Sequence, residues 1–162
     1  MSFGDRRVHE RLGERVYERA RNDPRFQAIL VRGFVTSYAF DVPYLGGYSR
    51  NGATVYVDRD TPAAVQSGRK VFAVRPRGLV QGILIHEHWE KTAIDAWRFD
   101  YDAAHELATH AEHHFVREKF GMEPDEYEAL WRPIIHMAEQ KLAKPDVMLP
   151  PDLDPTPYRA AH

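Results

Sequence analysis

The stretch "GLVQGILIHEHWEKTAIDAW", residues 78–97, decides how this chain is read. Leu79, Ile83, Ala93 and Trp97 recur at offsets of three and four and their multiples, so they fall along one line of a helix. His86 and Glu90 lie on the same line, because at about 100° per residue an i, i+4 pair is only about 40° apart. A helix that interrupts its own apolar face with an imidazole and a carboxylate must supply them with partners, since unpaired ionisable groups are costly to bury.

Toward the C-terminus, Asp100 or Asp102 can cap a second helix that runs to Phe120 and stops at Gly121. Its apolar side carries Tyr101, Ala104, Ala108, Ala111 and Phe115. His105 and Glu112, nearly eclipsed, border that side, whereas His110 and His114 fall on the far face. A third helix begins at Asp125, with Glu128 completing a capping box, and Pro133 is expected to kink or split it. From Pro145 the sequence "PDVMLPPDLDPTPY" has no helical or strand period. The spacing therefore predicts a single domain over 1–144 and a proline-rich extended tail over 145–162 lying on it.

Toward the N-terminus, Val8, Leu12, Val16 and Ala20 mark an amphipathic helix ended by "NDP" at 22–24. "FQAILVRGFVTSYAF", 26–40, is rich in β-branched and aromatic residues and reads as one or two strands broken at Gly33. Asn51-Gly52, before the alternating "TVYVD", predicts a β-hairpin with both turn residues at positive φ. "KVFAVRP", 70–76, reads as a further strand stopped by proline. The expected fold class is α+β: an N-terminal helix, a small antiparallel or mixed sheet with a hairpin, then three helices.

Composition narrows the chemistry. With 28% charged and 43% hydrophobic residues over 162 positions, the chain can bury the core of one domain. A formal net charge of −2 gives no broad attraction for nucleic acid or an anionic membrane, so neither partner is expected. Arginines 6, 7, 11, 15, 19, 21 and 25 are interleaved with acidic residues and read as a salt-bridged helix surface. The first residues lack the apolar core of a secretory signal, and no run approaches the roughly 18 apolar residues of a membrane span, so the expectation is a cytoplasmic protein. There is no cysteine, which excludes disulfides, thiolate zinc sites and a cysteine nucleophile. No serine lies in G-x-S-x-G. No Glu is followed by His three positions on, as paired di-iron motifs require.

What remains is histidine and carboxylate chemistry. Six of the nine histidines lie between 86 and 114. His9, His88, His110, His114, His136 and His162 read as solvated or internally satisfied. His86 and Glu90 instead direct two donor atoms at a common point, and Glu87 stands beside them as a general base. A catalytic metal needs a third protein ligand and an open position, and His105 on the next helix is the candidate. Glu112 offers either a further ligand or an acceptor for the other N–H of an imidazole, and His113 is the reserve. The donor set suits Zn2+, or another divalent ion.

"HEHWE", 86–90, resembles the active-site helix of the zincin metallopeptidases, in particular the gluzincin type whose third ligand comes from a second helix. By that resemblance His86 is a metal ligand, Glu87 the base that activates water, and Glu90 takes the second-ligand place. Zincins usually put His there and Glu on the second helix, so Glu90 and His105 exchange those types. "VPYLGGYSRNGATVYVDRDTP", "HEHWEK" and "AHELATHAEHHF" are also similar to small uncharacterised proteins of bacteriophages and proteobacteria. The implied activity is zinc-dependent hydrolysis, of a peptide or protein, with Tyr48, Tyr56 or Arg59 as substrate-binding candidates and 53–58 as an edge strand for an extended peptide. The competing expectation is a non-enzymatic, phage-derived accessory or interaction protein, in which His86, Glu90 and His105 form a buried polar network or hold a structural metal.

Overall fold

The computed structural model of the chain describes residues 3–62, 76–141 and 143–160. The sequence "RNDP" accomplishes more than ending a helix. α1 (Phe3–Asn22) stops there, and Asp23 then caps α2 (Pro24–Leu30), its Oδ1 accepting from the backbone N–H of Arg25 at 2.8 Å, with Pro24 in the first turn. Residues 26–30, expected as strand, are therefore helical: the cap outweighs β propensity over so short a run. Phe26 is buried between Trp89 and Trp97, each ring centroid 5.0 Å away. The inward face of α1 keeps Val16 and Ala20 of the expected line but departs from it at Leu12. Tyr17 and Ala20 are buried but Leu12 is 52% exposed, because Gly13 lets the helix press onto His110. Among the described side chains of α1, Arg21 pairs with Glu18 at 3.5 Å, and Arg19 lies over Trp97 and Arg21 over Tyr17.

β1 (Val35–Ser37), β2 (Gly46–Tyr48) and β3 (Thr54–Val57) form a mixed sheet in the order β1-β3-β2. β1 runs parallel to β3, and β2 antiparallel to it, pairing Gly47 with Tyr56. The expected hairpin is present, but its turn is closed by Gly52 N–H to Ser49 C=O at 2.8 Å, and Gly52 alone of the Asn-Gly pair has positive φ. Asn51 serves through its side chain, accepting from Ala53 N–H at 3.0 Å. β3 is central, so it has no free edge to offer a peptide; that expectation is overturned by the pairing of Val35–Ser37 with it. The strand expected over 70–76 falls outside the described residues except at Pro76, which opens a helix.

That helix, α3 (Pro76–Trp97), and α4 (Tyr101–Phe120) form an antiparallel hairpin. Arg98 at φ 57° ends α3, Asp100 caps α4 and Gly121 at φ 62° ends it. α5 (Pro124–Lys141) continues through Pro133 without a break; that residue is exposed and faces away from the packed side formed by Tyr127, Leu130, Trp131 and Ala138. α3 divides the hydrophobic interior in two. Leu79, Val80 and Ile83 join Leu45, Val57, Tyr127 and Trp131 on one side, while Ala93, with Trp89 against it, joins Phe26, Tyr17 and Leu107 on the other. The polar groups of "HEHWE" lie between these two cores.

The tail does lie on the domain, and it does so as a strap. Met148 exchanges backbone and side-chain bonds with Asp41, Leu153 bridges antiparallel to Ser49, and Asp154 N–H donates to Tyr48 C=O at 2.8 Å. It ends in a short α6 (Thr156–Ala160) rather than remaining extended. Among the described residues no helix is long and apolar enough to cross a membrane.

Candidate metal centre

The antiparallel α3–α4 hairpin places residues early on one helix against residues late on the other. Glu90 therefore faces His105, and His86 faces Glu112. His105 Nδ1 lies 2.9 Å from Glu90 Oε2 and 3.1 Å from His86 Nε2, and the latter two atoms are 3.4 Å apart. Tetrahedral bonds of about 2.0–2.1 Å hold ligand atoms roughly 3.3 Å from one another, so these three atoms have the spacing of one face of such a site. The group can hold a metal ion. Its donors are imidazole and carboxylate, the set that zinc and similar divalent ions accept.

The surroundings fix each donor. His86 Nδ1–H donates to Glu112 Oε2 at 2.8 Å, which turns Nε2 toward Glu90 and His105. Of the two roles open to Glu112, the structure supports the outer one. Glu90 is 2% exposed, and its second oxygen accepts from the Tyr48 hydroxyl at 2.9 Å. Tyr48, offered by the sequence as a substrate contact, is itself buried behind Glu90 and orients it. His105 is half exposed, which leaves its far nitrogen toward solvent, and the Tyr101 hydroxyl is 3.4 Å from its Nδ1.

Glu87 differs from its neighbours because it has no hydrogen-bond partner among the described residues. It lines a cleft of about 500 Å³ with His86, Glu90, His105 and Glu112. Gly46 makes room for it: a Cβ there would sit 2.7 Å from Glu87 Oε1. Burial, then the charge of Glu90, push the Glu87 carboxyl up to about 8, against the lowering effect of His86. Glu90 moves the other way. Burial opposes its ionisation, but hydrogen bonds from His105 and His86 bring it down to about 2. Burial also works against a charge on His86, yet its bonds to Glu112 and Glu90 hold its pKa well above the ordinary imidazole value. Glu87 and Glu90, three residues apart in sequence, thus have opposite protonation tendencies, an arrangement suited to dividing ligand and base roles.

Other sequence candidates are placed elsewhere. His113 lines the cleft but pairs with Glu128 at 3.2 Å, outside the donor group. Tyr56 donates its hydroxyl to Asp152, and Arg59 pairs with Asp41 at 2.8 Å; neither reaches the cleft, so neither is positioned to touch a substrate there. His88 donates to the Leu30 carbonyl at 2.7 Å, and His114 meets Glu14 at 2.6 Å, as internally satisfied groups. Three contributors are not legible as site residues: Tyr101 reads as part of an apolar face, Tyr158 lies in the aperiodic tail, and no motif around Tyr127 marks it. Tyr158 lines the cleft and donates to Gly46 C=O at 3.1 Å. No protein-family model matches the chain, and no curated protein or solved structure matches it.

Proposed function

We propose that this protein is a metal-dependent hydrolase, using Zn2+ or a similar divalent ion, with a peptide as the favoured substrate. The observation that carries the reading is the convergence of His86 Nε2, Glu90 Oε2 and His105 Nδ1 beside a Glu87 carboxyl that has no hydrogen-bond partner among the described residues. A divalent ion bound there supplies Lewis acidity toward a carbonyl and toward water. Glu87, in the cleft, would take a proton from a water molecule as the water oxygen bonds to the scissile carbonyl carbon, and would pass it to the amine nitrogen as the C–N bond breaks. Burial and the Glu90 charge raise the proton affinity of Glu87, which favours taking up a proton. Glu112 holds the His86 ring, Tyr48 holds the Glu90 carboxylate, and Leu45, Ile83 and Trp131 provide an apolar wall for a substrate side chain.

The likeness of "HEHWE" to a zincin helix supports the peptidase form of this reading, as does its position after the sheet. The ligand types remain exchanged relative to that family. The peptide would have to enter the cleft without pairing to β3, and the outer side of β2 is already bonded to the strap at Ser49 and Tyr48.

Protein purified without a His tag and dialysed against trace zinc should carry about one zinc per chain, and His86→Ala or His105→Ala should lose it. Glu87→Gln should keep the metal and lower hydrolysis of a peptide library by roughly 100-fold or more. Hydrolysis unchanged in Glu87→Gln would remove the base role. One observation favours a second reading, a metal-free network in a binding protein: the 2.9 Å separation of His105 and Glu90 is also that of a good hydrogen bond. Protein that takes up no zinc would decide for it.

A further inference from the structure

α5 reaches the metal centre through one hydroxyl. Tyr127 is 1% exposed and donates to Glu112 Oε1 at 2.5 Å, while the other oxygen of the same carboxylate accepts from His86 Nδ1–H at 2.8 Å. A free carboxylate rotates about its last bond; one held at both oxygens from opposite sides keeps its plane. α3 is shaped to admit this contact. Gly82 lies one turn before His86, and a Cβ there would sit 2.2 Å from the Tyr127 hydroxyl. Ring contacts with Trp131 and His113, at centroid separations of 6.1 and 6.5 Å, fix the direction of the phenol.

We infer that Tyr127 is a positioning residue for the metal: through Glu112 it sets the tautomer and ring orientation of His86, so that the Nε2 lone pair is directed at the ion. The role rests on the metal centre proposed above. It ties α5 to metal occupancy, because the bond that orients the ligand is also one that docks the helix. Zinc binding and α5 docking must then favour each other. The phenol keeps its proton for Glu112, since burial and the Glu112 charge push its pKa well above the ordinary tyrosine value.

The test compares wild type, Tyr127→Phe and Glu112→Gln. Tyr127→Phe keeps the ring and removes only the hydroxyl. Zinc affinity is measured by competition with a chromophoric chelator, and α5 amide exchange is followed with and without zinc. Wild type should bind one zinc and show slower α5 exchange when loaded. Tyr127→Phe should bind roughly 10-fold more weakly, the scale of an outer-shell loss, and lose most of the zinc-dependent protection. A merely structural tyrosine would speed α5 exchange equally in both states and leave zinc affinity unchanged, and that result overturns the proposal. If Tyr127→Phe fails to fold, Glu112→Gln tests the same connection from its other end, with the same weakening expected and unchanged affinity contradicting it. Wild type that binds no zinc overturns the metal centre and this role together; equal zinc binding by all three proteins overturns the role alone.

Discussion

Glu87 is held in the cleft by what is missing from residue 46. A methyl group at Gly46 would press on the Glu87 carboxylate at 2.7 Å and on Ile83 Cγ2 at 2.8 Å. The glutamate tip can swing aside, but Ile83 is 6% exposed and packed. Gly46→Ala should therefore destabilise the protein by about 1–3 kcal/mol, as overpacking does. Under the proposed function, zinc binding should be nearly retained, because none of His86, Glu90 and His105 is among the atoms nearest a Cβ at residue 46, while hydrolysis should fall as Glu87 is displaced. Urea denaturation and metal titration of the same preparation check both halves. Residues of this kind explain the uneven legibility of the site. His86, Glu90, His105 and Glu112 were readable because helix periodicity alone places them. Gly46, Tyr127 and Tyr158 come from other elements, and no local period can say that a glycine in a hairpin lies under a helix.

Elements were readable where their signals were long. The helices around residues 79–97 and 101–120 carry five turns or so of periodic pattern, with Gly121 supplying a left-handed end. α2 was misread because a segment of seven residues is too short to show a distinguishable period, and only the Asp-Pro cap betrays it. The central place of β3 was hidden because it depends on pairing with β1, far away in sequence. The start of the strap, at Met148, is held by a buried carboxylate. Asp41 accepts from Met148 N–H at 2.9 Å and pairs with Arg59 and Lys141. Burial raises its pKa, but those partners outweigh it and hold the group below its ordinary value of 3.8. A depressed folded pKa contributes stability that is present above the ordinary value and is lost as pH falls through the folded one. Asp41→Asn should thus cost on the order of 1–2 kcal/mol at pH 7. The gap to wild type should close below pH 3.8, as denaturation curves across that range would show. A gap independent of pH would mean that the carboxylate charge does not hold the strap.

At the scale of the whole molecule, α3 carries the design: two apolar cores flank it, and its polar strip receives His105 and Glu112 from α4, Tyr48 from β2 and Tyr127 from α5. A cation bound at that meeting point binds the folded state and not the dispersed ligands, so zinc at 100 times its dissociation constant should stabilise the protein by about 2.7 kcal/mol. For a chain of this size that is a rise in Tm of roughly 5–10 °C, reversed by chelator. The most direct measurement is anomalous scattering from zinc-soaked crystals at the zinc edge. The account predicts one strong peak about 2.0–2.2 Å from His86 Nε2, Glu90 Oε2 and His105 Nδ1 together. Zinc-replete crystals with no peak among those three atoms would contradict it.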